Sequence, residues 1–285
     1  MPISFKEVVY IYSPGTPFEY EALKGINVNF TMQKMTAIIG NTGSGKSTLI
    51  QHLNGLLLPN KGEIQVMDTR IEANKKLQNP KALKKQVGLV FQFPEYQLFE
   101  ETVLKDVMFG PKNFGSSEAE AMEIAMKMLK VVGIPESYLQ KSPLELSGGE
   151  KRKVAIAGIL ALEPEILVLD EPVAGLDPQS ARSMMELFRK INKDQKTTIL
   201  LVTHNMEQVL SYCDEVAVVK DGLVIHHGDV KDFFRQDEML DDLHIEPPMI
   251  IKARRLLREK GFEISDDVLD ASALARVIAK EVRRK

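Results

Sequence analysis

One eight-residue segment constrains the fold more than any other part of the chain. It reads Gly40-Asn41-Thr42-Gly43-Ser44-Gly45-Lys46-Ser47, the pattern G-x-x-x-x-G-K-[ST], and Thr48 follows it. An apolar run at 36–39 precedes it and a helical pattern at 46–58 follows it. Glycines in such a loop let backbone N–H groups turn toward phosphate oxygens, and the lysine reaches the β- and γ-phosphates. The segment therefore predicts a strand–loop–helix unit that binds a nucleotide through its phosphates.

Further apolar runs alternate with helical patterns along the middle of the chain. Strand-like runs occur at 87–91, 166–169 and 198–203, and helical patterns fill most of 116–162, with a further helix predicted at 269–284. Ser116 or Ser117 can cap the first helix of the 116–162 segment, whose apolar residues recur at helical spacing: Met122, Ala125, Met126, Leu129 and Val132. Strands that alternate with helices form mostly parallel sheets covered on both faces, so we predict an α/β fold. The first 36 residues read instead as short strands and turns, and Asp221-Gly222 predicts a hairpin turn between 215–220 and 223–226.

Composition limits the remaining possibilities. The chain has 285 residues, enough for one large domain and a smaller one, with a net charge of −3 that gives no basic field for nucleic acid. Cys213 is the single cysteine, which excludes an intrachain disulfide and fits a reducing compartment. No apolar run approaches the roughly 18 residues that span a bilayer, so we expect any membrane contact to run through a partner.

A second motif is the apolar run Ile-Leu-Val-Leu at 166–169, which ends in two acids, Asp170 and Glu171. A strand that ends in Asp170 would bring a carboxylate near a Mg²⁺ ion bound with the nucleotide by Ser47. Glu171 would then be placed to orient or deprotonate an attacking water. The simpler alternative is that the two acids precede a helix that begins near Pro172.

A third motif lies between these two and precedes a helical pattern. It reads Leu146-Ser147-Gly148-Gly149-Glu150. Taken alone, it fits an ordinary capping box in which Ser147 caps a helix and Glu150 occupies the third helical position. Its hydroxyl and its two glycines also suit close approach to a phosphate, and both interpretations can hold together.

The three motifs in this order resemble those of the ATP-binding subunits of ABC transporters, and the resemblance covers roughly residues 3–228. It implies a P-loop NTPase (RecA-like) core with an antiparallel β subdomain and a helical signature subdomain at about 93–162. Residues 1–228 would form the ATP-binding domain, and 229–285 a small helical C-terminal domain for dimerisation. In that family two such domains face each other, and the string at Ser147–Glu150 of each covers ATP bound by the other.

The resemblance assigns several further site residues. Gln92 matches a glutamine that senses Mg²⁺ and water and touches the membrane partner, and Asp177 matches a loop that links the two facing sites. His204 matches a histidine that contacts the γ-phosphate. Tyr12 matches the aromatic residue that stacks on adenine, although Tyr10 is a competing candidate. Lys46, Glu171 and His204 are the expected catalytic residues, and Ser47, Gln92 and Asp170 the expected metal ligands.

The segment at 91–99, Phe-Gln-Phe-Pro-Glu-Tyr-Gln-Leu-Phe, looks like the energy-coupling factor (ECF) importer ATPases of the A-prime type. This implies a heterodimer with a second, related ATPase beneath a membrane T component. A separate membrane protein would capture vitamins or other micronutrients, and the chain would lie at the cytoplasmic face of the cell membrane. We interpret Phe93, Tyr96, Leu98 and Phe99 as a groove for the membrane partner, with ordinary core packing as the alternative.

Other classes fit less well. DNA-maintenance ATPases with related motifs carry long coiled coils between the first and third motifs, and translation-type ATPases join two cassettes in one chain. An importer of amino acids or metal ions remains an alternative.

One departure from the family pattern is Glu150, where the signature usually ends in Gln. We expect this carboxylate to point away from the partner's γ-phosphate, because one aimed at it would be repelled.

Overall fold

The computed structural model describes residues 3–243 and 245–282, without the side chains of Glu238, Glu281 and Val282. The chain begins with an antiparallel sheet whose strand order is β2-β1-β4-β5. Its members are β1 Ile3–Tyr12, β2 Tyr20–Phe30, β4 Lys61–Val66 and β5 Thr69–Glu72. The expected short strands of the first 36 residues are thus two long strands, and irregular pairing near Phe5 and Val8 bends the β1–β2 ladder.

A second sheet forms the centre of the molecule, with the order β10-β9-β3-β8-β7-β6. Its strands are β3 Met35–Ile39, β6 Val87–Val90, β7 Ile166–Asp170, β8 Thr198–Val202, β9 Glu215–Lys220 and β10 Leu223–Asp229. All neighbouring pairs from β6 to β9 are parallel, and β10 pairs antiparallel with β9 through the predicted Asp221-Gly222 turn. The α/β prediction is confirmed.

Both faces of this sheet are buried, as the apolar runs predicted. Leu167 and Leu169 of β7 belong to a core shared with the helices, whereas Ile166 and Val168 belong to a core shared with the antiparallel sheet. Alternate residues of a strand point to opposite faces, so a strand covered on both sides must be apolar throughout. The same arrangement fixes the carboxyl ends of the parallel strands at one edge.

Three helices pack together beside the central sheet: α3 Val103–Asn113, α4 Glu118–Val131 and α5 Gly148–Leu160. Ser117 caps α4 in a capping box with Glu120, in agreement with one of the two predicted caps. The buried face of α4 differs from the predicted one. Ala121, Ala125, Met128 and Leu129 are buried, whereas Met122 and Met126 are exposed, because α4 turns its small residues toward the core.

The helix after the phosphate loop is shorter than predicted. α1 Lys46–Gln51 ends well before position 58, since Gly55 takes a left-handed conformation (φ 71°). The N–H groups of Leu56 and Leu57 then both donate to the Gln51 carbonyl. This pattern terminates a helix at a glycine.

The other α-helices of the described residues lie between these elements and along the C-terminal part of the chain. They are α2 Pro80–Gln86, α6 Pro178–Gln195, α7 Met206–Tyr212, α8 Val230–Arg235, α9 Asp237–Asp242, α10 Met249–Glu259 and α11 Ala271–Val282. Phe233 and Phe234 of α8 are fully buried in the main core, and Ile264, Val268 and Leu274 form a small separate cluster. The predicted helix at 269–284 extends into residues 283 and 284, outside the described part of the chain. In the described ranges, no helix has the length and apolar character needed to cross a membrane.

Candidate functional site

A pocket opens at the carboxyl edge of the central sheet. It is formed by the loop after β3, the residues that follow β6, β7 and β8, and the start of β2. It is lined by Tyr20, Ala22, Thr42, Gly43, Gly45, Lys46, Ser47, Thr48, Gln92, Asp170, Glu171, Val202 and His204. This edge is where open α/β sheets bind ligands. Most residues predicted from the first two motifs thus meet in one place.

The loop between β3 and α1 has the geometry of a phosphate cradle. Gly45 has φ 105°, and a Cβ there would lie 2.7 Å from the carbonyl oxygen of Ala22, so only glycine fits. Lys46 donates from Nζ to the carbonyl oxygens of Gly40 and Asn41, both at 2.8 Å, which holds the ammonium inside the loop. Burial lowers the pKa of Lys46, while Glu171 and Asp170 oppose this effect.

Ser44 provides a further sign that the loop is built for a polar ligand. Its hydroxyl is buried and, among the described residues, has no hydrogen-bond partner. A buried hydroxyl without a partner is costly, and a phosphate oxygen beside the loop would supply the missing acceptor. Gly40 and Asn41 line a neighbouring pocket with His204, on the side where Leu243 and Ile245 lie.

Ser47 and Asp170 form the pair expected to hold Mg²⁺. A side-chain hydrogen bond joins them, and burial raises the pKa of Asp170. Within residues 3–243 and 245–282, no three His, Cys, Asp or Glu side chains form a metal-binding cluster. That donor set still fits Mg²⁺, because this ion usually takes one or two protein ligands together with substrate phosphates and waters. Gln92 is exposed at the same pocket.

Glu171 and His204 face each other at the pocket. The Nδ1 atom of His204 donates to Oε1 of Glu171 over 2.8 Å, and the imidazole is otherwise exposed. Glu171 is one of ten non-glycine residues with a left-handed backbone in the described part of the chain (φ 49°), and its N–H donates to the carbonyl of Val202. A strained residue at a pocket is typical of functional sites and costs about 1–3 kcal/mol.

Two tyrosines stand opposite each other at the end of the β1–β2 ladder where residues 13–19 connect the two strands. Tyr12 pairs with Tyr20 across the strands. The Tyr12 hydroxyl bonds Thr48 Oγ1 at 3.1 Å, and the Tyr20 hydroxyl donates to the Gly43 carbonyl at 3.0 Å. Tyr10 is turned inward, where its ring meets that of His52. The sequence did not indicate Tyr20 as a site residue, because its place opposite Tyr12 follows only from the strand register.

The third motif lies away from this pocket, at the start of α5. Ser147 caps the helix and accepts from the Glu150 N–H, while Glu150 Oε2 accepts from the N–H and the hydroxyl of Ser147. The predicted capping box is therefore present, and the carboxylate is folded back onto its own helix end. Gly148 and Gly149 have open space around their Cα atoms. Asp177 similarly caps α6.

Comparison with protein families supports the class of protein that this fold and pocket define. The ABC transporter family model matches residues 23–174, and a model of an AAA domain matches residues 140–210. The first match spans more than half of the chain and contains all three motifs. The chain belongs to the ABC transporter ATP-binding family, whose members bind and hydrolyse ATP.

Individual relatives narrow the family further. A protein from Spiroplasma kunkelii named energy-coupling factor transporter ATP-binding protein EcfA2 is 50% identical to this chain, over 99% of this chain and 94% of the relative. The protein of that name in Enterococcus faecalis is 48% identical, with 99% and 98% covered, and that in Bacillus cereus is 47% identical, with 100% and 97% covered. The chain is a member of this EcfA2 family.

Solved structures agree with this assignment. A protein called cbiO1 from Clostridium perfringens, described as part of the ABC transporter complex cbiONQ, is 39% identical with a TM-score of 0.74. The similarity covers 89% of this chain and 98% of that one. The cassette MJ0796, solved as a dimer with ADP and Pi, is 30% identical with a TM-score of 0.69, over 80% of this chain and 98% of its own. The P-loop NTPase fold is confirmed.

Proposed function

We propose that this chain is the ATP-hydrolysing A-prime subunit of an ECF importer that drives uptake of vitamins or other micronutrients. One observation carries the proposal. The phosphate loop, Asp170, Glu171 and His204 share one pocket, while the string that begins at Ser147 lies on a separate helix end. A chain built this way owns one half of an ATP site and presents the other half to a partner.

In this proposal each residue of the pocket has a defined role. Tyr12 stacks on adenine, and the loop from Gly40 to Thr48 wraps the phosphates. Ser47, Asp170 and Gln92 hold Mg²⁺, which when bound neutralises phosphate charge. Glu171 orients the attacking water and accepts its proton as oxygen attacks the γ-phosphorus and the bond to the β-phosphate oxygen breaks. His204 and Lys46 stabilise the charge that develops on the γ-phosphate.

The string at the start of α5 acts on the other ATP of the pair. Ser147, Gly148, Gly149 and Glu150 are exposed or half-buried and are available to a facing cassette, and so is Asp177. The facing cassette is a second, related ATPase, so the pair is a heterodimer. In the MJ0796 structures two cassettes associate, which supports such pairing here. Nucleic acid has no part in this function.

The chain reaches the membrane only through partners, at its cytoplasmic face. These are a membrane T component and a separate membrane protein that captures the micronutrient. We propose an ATP-binding domain at 1–228, with a helical subdomain at about 93–162, and a dimerisation domain at 229–285. Phe233 and Phe234, near the start of the second domain, are buried in the main core of the first, so the two domains pack against each other there.

A surface for the membrane partner lies just after Gln92. Tyr96 is 84% exposed and Phe99 is also exposed, whereas Leu98 is partly buried against the main core. We therefore narrow the proposed groove to Phe93, Tyr96 and Phe99. Large aromatic side chains with such a high exposed fraction are typical of protein–protein contact surfaces.

Co-purification tests this proposal. The chain is purified from membranes in mild detergent, and the proteins that accompany it are identified by mass spectrometry. We expect a second ATPase and a polytopic membrane protein among them. Tyr96→Glu should abolish recovery of the membrane protein, while Phe18→Glu, which alters an equally exposed aromatic at 83%, should not. A chain that returns only as a self-dimer, or equal recovery with both variants, would refute the proposed assembly.

A further inference from the structure

One arginine is almost completely buried between three segments of the site. Arg152 lies on α5, five positions after Ser147, and is 2% exposed. Its Nε donates to Glu95 Oε2 at 2.9 Å, and its Nη2 donates to Oε1 of the same carboxylate at 2.6 Å. This two-point contact fixes the guanidinium plane relative to the segment that follows Gln92.

The other arm of the guanidinium reaches the loop after Glu171. Arg152 Nη1 donates to the carbonyl oxygens of Pro172 at 3.2 Å and Ala174 at 2.7 Å. These carbonyls lie between Glu171, which has a left-handed backbone, and Asp177. One side chain thus holds the peptide units directly beyond the residue that orients water.

A ring contact closes the same cluster. The Arg152 guanidinium carbon lies 5.6 Å from the centroid of the Phe93 ring, and Phe93 itself has a left-handed backbone (φ 58°). A Cβ placed on Gly175 would lie 3.5 Å from that ring. The segment at 93–95, the loop at 172–175 and α5 therefore pack around a single cation.

We infer that Arg152 is a positioning residue for ATP hydrolysis, because it locks the backbone that carries Glu171 to the segment after Gln92 and to the helix that begins at Ser147. A shift of the 93–95 segment, where the proposed membrane partner docks, is passed through Glu95 and Arg152 to Glu171 and to the start of α5 at Ser147. That the shift starts at the membrane partner rests on the proposed function. That it changes the rate of ATP hydrolysis rests on the ATPase activity of the family.

The geometry predicts which substitutions matter. Arg152→Lys keeps the charge but loses the planar fork, so it cannot hold Glu95 and two carbonyls at once. Glu95→Gln is close in shape and keeps one acceptor, so it loosens the clamp with less risk to folding. Lys127→Gln is the control, because it removes one partner of a salt bridge to Glu163 whose side chains are both 63% exposed and lie away from the Arg152 cluster.

The test measures ATP affinity of the full chain and turnover at saturating ATP in the assembled complex. We expect Arg152→Lys and Glu95→Gln each to lower turnover by about 10- to 100-fold, the effect of misplacing a catalytic group by about 1 Å. ATP affinity should stay within about twofold of wild type. The double variant should be no slower than the slower single variant, since the two residues act as one unit. Lys127→Gln should match wild type.

Two outcomes would overturn the inference: unchanged turnover in Glu95→Gln and Arg152→Lys, or a loss of ATP affinity as large as the loss of turnover, which would indicate general structural support. If Arg152→Lys does not fold, Glu95→Gln alone decides between these outcomes. Failure of the proposed assembly would instead appear in the wild-type chain, which would return without membrane partners. Turnover is then measured on the self-associated chain, and the same comparison holds.

Discussion

Glu171 and His204 contact each other across two neighbouring parallel strands. Glu171 follows the last residue of β7, His204 follows β8 by two positions, and their side chains meet at 2.8 Å between Oε1 and Nδ1. The pairing of Asp170 with Val202 sets this distance. A carboxylate that accepts from an imidazole is held in one orientation, which is what the proposed role of Glu171 in orienting a water requires.

The first prediction follows from that contact. Glu171→Gln removes the acceptor for the water proton while preserving shape, so turnover should fall by at least about 100-fold. ATP affinity should change little, because Lys46 and the loop hold the phosphates. Steady-state hydrolysis by the assembled complex, with nucleotide binding to the full chain measured separately, checks this. Glu186→Gln, an exposed acid on α6, is the control, and turnover near wild type in Glu171→Gln would contradict the assigned role.

The second prediction separates the two tyrosines of β1. Tyr12→Ala should weaken ATP binding by roughly 5- to 100-fold, the range expected when one base–aromatic stack is lost. Tyr10→Leu should leave the ATP affinity within about twofold, because the Tyr10 ring packs inward at 5.0 Å from the His52 ring. Calorimetric titration of ATP into each variant distinguishes them. A larger loss of affinity in Tyr10→Leu would assign adenine stacking to that residue instead.

The third prediction concerns the unusual acid of the signature. Hydrogen bonds from Ser147 lower the pKa of Glu150, so it is an anion at neutral pH beside the hydroxyl that we propose contacts the partner's ATP. Glu150→Gln keeps an acceptor for Ser147 but removes the charge, and turnover at the partner's site should rise about two- to fivefold. The affinity of the full chain for ATP at its own Lys46 site should not change. Equal effects on both measurements, or none on either, would refute the proposal that Glu150 acts on the partner's site alone.

The fourth prediction is a pH dependence of stability. His52 is completely buried, its Nδ1–H donates to the Thr48 carbonyl at 2.7 Å, and burial lowers its pKa to about 4 from 6.5. The unfolded chain therefore binds more protons than the folded chain between these values, so stability falls as the pH falls from about 6.5 toward 4. The contribution of His52 to this loss at pH 4.5 is about 2–3 kcal/mol.

Denaturant unfolding at pH 7 and pH 4.5 measures this effect. In His52→Leu the difference in unfolding free energy between the two pH values should shrink by about 2–3 kcal/mol, whatever the variant's stability at pH 7. Burial lowers the pKa of His226 in the same direction, and His226→Gln should give a smaller change because that ring is less buried. An unchanged difference in His52→Leu would show that this histidine does not titrate as its burial predicts.

Much of the fold was accessible from local patterns. Apolar runs identified β3, β6, β7 and β8 to within a residue or two, because a strand buried on both faces has no room for polar residues. The Asp221-Gly222 hairpin, a helix cap at Ser116 or Ser117 and the capping box at Ser147 were predicted from turn and cap chemistry. The buried face of α4 was predicted wrongly at Met122 and Met126. Helical spacing allows more than one apolar face, and only the neighbouring helices choose between them.

The sequence by itself determined the chemistry of this protein: a phosphate-binding loop, an acidic strand end and a signature string in a fixed order, each defined by residues close together in the chain. Only the tertiary structure decided which side chains meet. Tyr20 joins the pocket through its register with Tyr12. Arg152 contacts Glu95, which lies 57 positions earlier in the sequence, and also the loop beyond Glu171. Such contacts depend on how strands and helices pack, and no local pattern of residue types specifies a contact between residues so far apart in the chain.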